Sequence, residues 1–313
     1  MVVAAHLCEL CGSADATVRL DRARDYITGE TFQVRQCARC GLAATAPRPS
    51  SMERYYPPAY RRYTGAAART LRLLYAMKVG GWARRFPRPG RVLEVGCGAG
   101  WMLGALRDRG WRVLGSERTI DGAAAAAAAN QIPVFVGDLD ALGSSARFDV
   151  VILFQALEHL AHPIAMLRRS ADRLAAGGVV VVAVPNSASW QARLFGRSWF
   201  HLDVPRHQHH FSPTTLRAAC ERVGLRVMRT RYVSLEHDPY GWVQSALNRM
   251  GFRQNLLTRM MMGMAVDDAG LATMALMLCA AGLLVVPALA LSLCSWACGS
   301  GALVEMWAIK APE

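Results

Sequence analysis

The sequence predicts an α/β protein built on a seven-stranded, mostly parallel sheet with helices on both faces. Two observations carry this prediction. Apolar runs alternate with helical patterns between residues 91 and 186, which is typical of parallel strands joined by crossover helices. Two further apolar runs follow, and a long uncharged segment separates them. The 313 residues suffice for this sheet, a small N-terminal unit and an insertion between strands six and seven.

The elements follow from the apolar runs in chain order. Five strands are predicted at 91–94, 111–117, 133–136, 148–154 and 178–184. A sixth strand at 225–233 follows a predicted helix at 213–223 that ends at Gly224, and a seventh covers 302–310. We therefore divide the chain into a cysteine-rich unit at 1–48, a basic helical linker at 49–90, an α/β domain at 91–236 with 301–313, and an insertion at 237–300.

Composition and charge limit the classes of function. With 53% hydrophobic and 19% charged residues, the chain is not a disordered protein. The net charge of +13, carried almost wholly by arginine, predicts an anionic partner such as phosphate, lipid headgroups or nucleic acid. Residues 1–11 lack the basic and apolar pattern of a secretory leader. We therefore expect a reducing, cytoplasmic compartment.

Four cysteines predict a metal site. Cys8 and Cys11 form one C-x-x-C pair, Cys37 and Cys40 form another, and a glycine follows each pair. Zn²⁺ prefers four soft ligands in a tetrahedron, and two such pairs complete that shell. Because protein ligands fill every position, the sequence predicts a structural Zn²⁺ in a zinc ribbon over 1–48. The alternative is a set of redox or disulfide-forming dithiols, which the cytoplasmic expectation disfavours.

A glycine-rich turn predicts a nucleoside cofactor. Glu94 closes the first strand of the α/β domain, and Gly96, Gly98 and Gly100 follow before a predicted helix. Glycines let a backbone approach a ligand closely, and the helix N-terminus offers N–H groups. Glu117 ends the next strand, where an acid can bond both hydroxyls of a ribose. The G-x-G-x-G spacing after an acid favours a sulfonium ligand over a pyrophosphate.

From about residue 91 to 233 these motifs resemble the class I S-adenosylmethionine (SAM)-dependent methyltransferases, which have a Rossmann-like fold. The Glu158-His159 pair after strand four is typical of the branch that includes the ubiquinone-biosynthesis O-methyltransferases. The resemblance implies SAM as cofactor, with Glu94 and the glycine loop at its methionine part, Glu117 at its ribose and Asp138 beside its adenine. The cofactor residues that it implies are Glu94, Gly96, Cys97, Gly98, Gly100, Glu117, Arg118, Asp138, Leu139, Gln155 and Ala156.

Residues 199–212, which we call the lid segment, are the predicted acceptor side. A similar segment lies over the active-site cleft in the same methyltransferase branch. Methyl transfer to a hydroxyl requires a group that takes its proton, and the lid segment has four histidines within ten residues. We predict His207 as this base and His210 as the second choice, with His159 as a further candidate and Arg206 binding an anionic headgroup. Two alternatives remain, namely a metal bound by His207, His209 and His210, and histidines that merely cap a helix and pack the lid.

The uncharged segment predicts membrane contact. Residues 269–304 are 36 positions without a charged residue, slightly too few for two full crossings. Because strands six and seven belong to one sheet, we predict a re-entrant helical hairpin that bends near Pro287. Residues 242–264 have the pattern of a basic amphipathic helix on anionic lipid. The stretch 54–91 has nine arginines and Lys78 but no acid; we assign it to the same lipid surface, with nucleic-acid binding or a solvated helix as alternatives.

The sequence thus predicts a SAM-dependent methyltransferase that O-methylates a lipid or lipid-linked acceptor. We expect a cytoplasmic protein, peripheral or monotopic on the anionic inner face of the membrane. One alternative is a nucleic-acid or soluble small-molecule methyltransferase that docks through the zinc ribbon. Residues 155–158 read Gln-Ala-Leu-Glu rather than the Asn/Asp-Pro-Pro-aromatic motif of base N-methylases, so nucleic acid is disfavoured. A non-catalytic protein of this fold is disfavoured by the intact glycine loop.

Overall fold

The computed structural model describes residues 7–57, 60, 63, 65–86, 88–264, 266 and 269–311. Within them the strands are β1 Ala16–Arg24, β2 Thr31–Cys37, β3 Ala43–Ala46, β4 Arg91–Val95, β5 Arg112–Glu117, β6 Val134–Val136, β7 Phe148–Phe154, β8 Leu174–Pro185, β9 His209–His210, β10 Leu225–Arg231 and β11 Leu303–Lys310. The helices are α1 Gly65–Ala83, α2 Trp101–Arg107, α3 Ile120–Asn130, α4 Pro163–Asp172, α5 Trp190–Phe195, α6 Pro213–Arg222, α7 Asp238–Arg249, α8 Leu256–Met261 and α9 Leu271–Ala297. Arg61 and Arg62 of the predicted basic stretch lie outside the described residues.

Seven strands form the predicted sheet, in the order β6-β5-β4-β7-β8-β11-β10. The five strands from β6 to β8 are parallel, whereas β11 is antiparallel to β8 and β10 is antiparallel to β11. The predicted seven-stranded, mostly parallel α/β fold is confirmed. The carboxyl ends of β4, β5, β6 and β7 meet at one edge, which is where ligands bind in open α/β sheets.

The sheet is buried on both faces, because successive residues of its central strands point to opposite sides. Val151 and Leu153 of β7 pack with α4 and α6 on one face. Val150 and Ile152 of the same strand pack with α1, α2 and α3 on the other. This two-sided burial explains why the central strands read as continuous apolar runs rather than alternating ones.

A second, smaller sheet joins the N-terminal unit to the lid segment. Its order is β1-β2-β3-β9, and β9 is the His209–His210 pair of the lid. Ala43 of β3 lies opposite His210, and Ala44 lies opposite His209, in antiparallel register. The sequence predicts the cysteine-rich unit and the lid as separate parts of the chain. Only the structure shows that they pair in one sheet. The N-terminal unit therefore holds the lid in place.

The uncharged segment forms one helix, α9, of 27 residues with Pro287 inside it. The predicted hairpin bending near Pro287 is therefore wrong. A single proline removes one helical hydrogen bond but does not reverse a chain whose packing continues on both sides of it. Here Met277 and Ala281 before the proline and Ala288 after it are all buried in one cluster. Among the described residues, α9 is thus the helix that connects α8 to β11.

The predicted basic amphipathic helix over 242–264 is also wrong. The chain forms two helices there, α7 and α8, separated by a turn. The apolar residues of α7, Trp242, Val243 and Leu247, are buried in the same cluster as the packed face of α9. The apolar side of α7 is therefore covered by the protein itself and does not lie on lipid.

Candidate active site

Three glycines shape the turn between β4 and α2. Gly96, Gly98 and Gly100 have positive φ angles of 68°, 53° and 70°, a region that residues with a Cβ rarely adopt. A Cβ on Gly100 would also lie 2.7 Å from Ile132 Cδ1. The turn therefore requires glycine, and it places bare backbone beside the N-terminus of α2.

Glu94 on β4 is a buried carboxyl group next to this turn, with 3% of its surface exposed. Burial, and after it the charge of Glu117, raises the pKa of Glu94 to about 8. Among the described residues, no hydrogen bond reaches Glu94 Oε2. A buried carboxyl oxygen without a partner costs free energy that a bound donor would recover. Glu94 therefore fits the binding of a cationic ligand group.

Glu117 ends β5 and braces the glycine turn. The N–H of Gly98 donates to Glu117 Oε1 at 2.8 Å, and the N–H of Arg118 donates to Oε2 at 2.9 Å. The Arg118 guanidinium lies 4.7 Å from the centre of the Tyr56 ring. Cys97 is buried within the turn, and its N–H donates to a β5 carbonyl at 3.0 Å. The turn, Glu117 and Arg118 thus form one connected unit.

The acid after β6 is engaged by the protein. Asp138 Oδ1 accepts a hydrogen bond of 2.6 Å from the N–H of Leu139, and its Oδ2 pairs with Arg169. The Leu139 side chain is 1% exposed and belongs to the core. The structure thus brings Asp138 to the same edge of the sheet, where its carboxylate caps a short turn.

The residues after β7 close the site from the other side of β4. Gln155 has a positive φ of 51°, and its side-chain amide contacts His237 Nε2. The Ala156 Cβ lies 3.2 Å from the point where a Cβ on Gly96 would stand. The predicted cofactor residues of β4, β5 and β7 therefore surround one turn at the carboxyl edge of the sheet.

Comparison with known proteins shows which family the chain belongs to. A family model described as a methyltransferase domain matches residues 60–230, which is more than half of the chain. The chain belongs to this methyltransferase family. It is similar to the ubiquinone biosynthesis O-methyltransferases of Cereibacter sphaeroides, 27% identical over 173 residues (51% of this chain, 68% of that protein), and Leptothrix cholodnii, 28% identical over 163 residues (48% and 68%). A solved SAM-dependent methyltransferase from Archaeoglobus fulgidus matches 52% of this chain and 73% of its own at 23% identity, with a TM-score of 0.45.

The protein is a class I SAM-dependent methyltransferase, and SAM is its cofactor. SAM supplies a methyl group activated by its sulfonium sulfur. The residues present fit it, because Glu94 offers a buried oxygen that none of the described residues bonds and the glycine turn offers bare backbone. Glu94 would hold the amino group of the methionine part, and Glu117 would hold the ribose hydroxyls.

Replacing Glu117 with alanine is expected to weaken SAM binding by about 1.5 to 3 kcal/mol, since hydrogen bonds to a charged group are the stronger kind. The variant also loses the acceptor for the Gly98 N–H, which loosens the turn. Titration calorimetry with SAM and its demethylated product measures the change. The control is Asp108→Ala, which removes an exposed carboxylate at the far end of α2. Equal affinity of the Glu117 variant and wild type would remove Glu117 from the cofactor site.

Arg206 of the lid segment does not face a cleft in this methyltransferase. Its side chain is fully buried, and its guanidinium forms ion pairs with Asp25 at 2.6 Å and with Asp203 at 2.8 Å. It also donates to the carbonyl oxygen of Tyr55 at 2.9 Å. The predicted role in binding an anionic headgroup does not match this geometry. Arg206 instead ties the lid to the N-terminal sheet.

His207 of the lid segment lies beside His159, which follows β7. Their rings are 4.7 Å apart, and His207 Nδ1 lies 2.9 Å from the carbonyl oxygen of His201. His207 Nε2 stands 3.9 Å from a Glu158 oxygen and 3.8 Å from an Asp203 oxygen. Two carboxylate groups, of Glu158 and Asp203, thus lie near His207 Nε2.

His209 and His210 belong to the N-terminal sheet rather than to the carboxyl edge. His210 Nε2 lies 2.9 Å from the Thr45 hydroxyl. Burial, followed by nearby positive charges, lowers the pKa of both His209 and His210 to about 3. A ring with so low a pKa is a weak base, so the predicted second choice, His210, is poorly suited to take a proton. The three histidines considered for a second metal are also divided between two places.

Two residues near the end of β7, Lys78 and His237, were not predicted from the sequence to belong to the site. Lys78 belongs to the stretch assigned to a basic surface, but it is buried between Glu236 at 2.9 Å and Glu305 at 3.4 Å. His237, which contacts Gln155, falls in the predicted insertion. One signal points to Lys78, because it is one of only two lysines in an arginine-rich chain. Nothing in the local sequence marks His237.

The four predicted zinc ligands lie together at one end of the N-terminal sheet. The Sγ atoms of Cys8 and Cys40 are 3.5 Å apart, and those of Cys11 and Cys37 are also 3.5 Å apart. All four Sγ atoms lie within 4.8 Å of one another. Tetrahedral Zn²⁺ with sulfur at about 2.3 Å separates its ligands by about 3.8 Å. The donor set therefore fits Zn²⁺.

Proposed function

We propose that this methyltransferase O-methylates a lipid or lipid-linked acceptor while bound to a membrane surface. The observation that carries the proposal is the surface of α9. It is the one helix among the described residues that is long and apolar enough to cross a membrane, with a mean hydropathy of 2.5 over its most apolar window. Only 17% of that window is buried in the protein.

The packed and exposed faces of α9 are distinct. The buried residues recur at helical spacing and are Met277, Ala281, Ala288, Ser292 and Ser295. The first three belong to one apolar cluster with residues of α7 and α8. The remaining circumference is large and apolar, with exposed fractions such as 83% at Leu271 and 80% at Leu283. A contiguous apolar surface of this kind marks contact with a membrane or another protein. The absence of any charge along α9 favours the lipid.

The C-terminal end of α9 lies beside the carboxyl edge of the sheet. The N–H of Ala302 donates to Asp238 Oδ1 at 2.6 Å, and the Asn186 side chain donates to the Gly301 carbonyl at 3.0 Å. Asp238 begins α7, directly after His237, which contacts Gln155. An acceptor held in lipid along α9 would therefore arrive near the residues that follow β7. This placement supports a lipid-linked acceptor over a wholly soluble one.

The proposed chemistry is methylation of a hydroxyl oxygen. The relatives from Cereibacter sphaeroides and Leptothrix cholodnii are named as O-methyltransferases of ubiquinone biosynthesis. Buried histidines around the end of β7 provide groups that can take a hydroxyl proton. We therefore propose a phenolic or similar hydroxyl on a polyprenyl-type lipid as the acceptor. The same proposal places structural Zn²⁺ on Cys8, Cys11, Cys37 and Cys40.

Membrane binding is expected to depend on the exposed face of α9. Changing Leu276, Leu283, Val286 and Leu293 to glutamine keeps the packed face and removes the apolar one. Each buried side chain of this kind contributes about 1.5 to 3 kcal/mol, so binding to anionic vesicles should fall to background. Flotation with phosphatidylglycerol-containing vesicles measures it, while SAM calorimetry checks the fold.

The matched control changes four exposed apolar residues elsewhere in the chain, Val18, Leu194, Met228 and Leu235, to glutamine. This control should float as wild type does.

Comparison of lipid extracts from cells with and without the protein should then reveal an acceptor heavier by one methylene unit. A wild-type protein that never floats with these vesicles, and stays monomeric without detergent, would contradict the membrane proposal.

A further inference from the structure

His237 stands at the meeting point of four elements around the end of β7. It directly precedes α7 and is 7% exposed. Its Nε2 atom contacts the side-chain amide of Gln155 and lies 3.4 Å from the hydroxyl of Tyr75 on α1. Its ring centre lies 6.1 Å from that of Phe154 and 5.8 Å from that of His201 in the lid. One imidazole thus touches the helix before the sheet, the β7 end, the lid and α7.

This position is on the acceptor side of the cofactor site. Gln155 follows β7 directly, and the next residue, Ala156, packs against the position of Gly96 in the glycine turn. Gln155 and Ala156 therefore link His237 to the glycine turn, because Gln155 contacts His237 and Ala156 packs against Gly96. Tyr75 also lies near Trp101, the first residue of α2, with ring centres 6.0 Å apart. Aromatic rings on two sides suit a flat, partly apolar acceptor.

We propose that His237 is the base that takes the proton from the acceptor hydroxyl, with Gln155 and Tyr75 orienting it. The inference rests on the proposed hydroxyl acceptor. The acceptor oxygen forms a bond to the methyl carbon while the carbon–sulfur bond breaks and its electron pair returns to sulfur. The hydroxyl proton passes to the imidazole of His237, which becomes imidazolium and later releases the proton to solvent. Atoms and charge balance, because the sulfonium loses its positive charge and the imidazole gains one.

The hydrogen-bond geometry supports this assignment. The side-chain amide of Gln155 contacts His237 Nε2, so it can orient the imidazole ring beside the end of β7. The titratable and charged groups around the ring are Tyr75 on α1, His201 in the lid, and Glu236 and Asp238 on its own segment. Glu236 is paired with Lys78 at 2.9 Å, and Asp238 accepts from the N–H of Ala302. Each of the two neighbouring acids thus has a partner within the protein.

His237 also suits the role better than the histidines predicted from the sequence. His210 lies in the N-terminal sheet and is a weak base. His207 binds the His201 carbonyl through Nδ1 and faces two carboxylates through Nε2. His237 contacts Gln155, the residue that directly follows β7.

The test measures single-turnover methyl transfer from radiolabelled SAM to a farnesyl-substituted catechol in phosphatidylglycerol vesicles, across pH 5 to 9. In the wild type the rate should rise with pH and reach a plateau, because only the neutral imidazole can take the hydroxyl proton. His237→Asn should reduce the rate about 10²- to 10⁴-fold, the usual contribution of a general base. SAM affinity should change less than about threefold, and the rising limb of the pH profile should disappear. Added imidazole should restore part of the rate.

The matched control is His162→Asn, which changes an exposed histidine paired with Glu9 on the surface; it should retain the wild-type rate and pH profile. If His237→Asn fails to bind SAM, the rate of His237→Gln and the pH profile of the wild type test the assignment of His237 instead. A variant within threefold of wild type, or a wild-type profile with no limb between pH 5 and 8, overturns the assignment of His237. Absence of any turnover by wild type, with SAM bound, would instead count against the proposed acceptor.

Discussion

Replacing Arg206 with alanine is expected to lower the free energy of unfolding by about 3 to 5 kcal/mol, the usual effect of breaking a buried ion pair. The guanidinium is completely buried between Asp25 and Asp203. Without it, two carboxylates remain in the interior with no positive partner. The lid and the N-terminal sheet also lose their strongest mutual contact. Urea denaturation, followed by tryptophan fluorescence, measures the loss.

Arg54→Ala is the matched control for this measurement. Arg54 pairs with Glu30 at 2.8 Å, but both side chains are substantially exposed, at 62% and 40%. Exposed pairs contribute about 0 to 1 kcal/mol, so this variant should unfold close to wild type. A loss below 1 kcal/mol for Arg206→Ala would show that the buried network does not hold the lid. The predicted role of Arg206 in binding an anionic headgroup would then be open again.

The fold of the α/β domain could be predicted because its signals are local. Strands such as β7 are buried on both faces and read as unbroken apolar runs, and helices of ordinary length separate them. The turn after β4 shows itself through Gly96, Gly98 and Gly100, which its backbone angles require. The cysteine pairs work in the same way, because a C-x-x-C spacing brings two ligands together before any tertiary contact forms.

The lid could not be predicted, because its partners are distant in sequence. His210 pairs with Ala43, and Arg206 pairs with Asp25. Each contact joins residues more than 160 positions apart, and no periodicity in either segment indicates the other. A run of histidines beside an arginine therefore looks catalytic, although the structure uses much of it for packing. His237 escapes the sequence analysis for the same reason, since Gln155 is remote from it in the chain.

The structure of the insertion could not be predicted for a different reason. An uncharged run gives length and hydrophobicity, but it does not give the number of helices. Met277, Ala281 and Ala288 have the spacing of one helix face. The exposed faces are also apolar, with many leucines, so the hydrophobicity of the segment does not distinguish the packed face from the others. The assumption that the chain must return to the sheet through a hairpin led to the wrong element. Helix α9 returns to β11 along the side of α7 instead.

Removal of Zn²⁺ is expected to disorder the lid together with the N-terminal sheet. Zn²⁺ binding to a structural site contributes about 10 to 16 kcal/mol in small zinc domains, so β1, β2 and β3 should unfold when the ion is lost. β9 would then lose its partner β3, and Arg206 would lose Asp25. Leu10 and Leu42 of the N-terminal unit pack into one core of the larger sheet, but most residues of its two cores belong to the α/β domain, so this sheet should stay folded.

Hydrogen exchange with mass spectrometry, before and after chelation under reducing conditions, measures this coupling. Elemental analysis should first find one Zn²⁺ per chain, and reloading with Zn²⁺ is the control. Protection should be lost over 16–46 and over 199–212, while β7 and β8 keep theirs. SAM should still bind, because Glu94 and Glu117 belong to the larger sheet, but methyl transfer should stop once the lid is released. A lid that keeps its protection after chelation would mean that the small sheet is held by packing alone, and that Zn²⁺ is not coupled to the acceptor side.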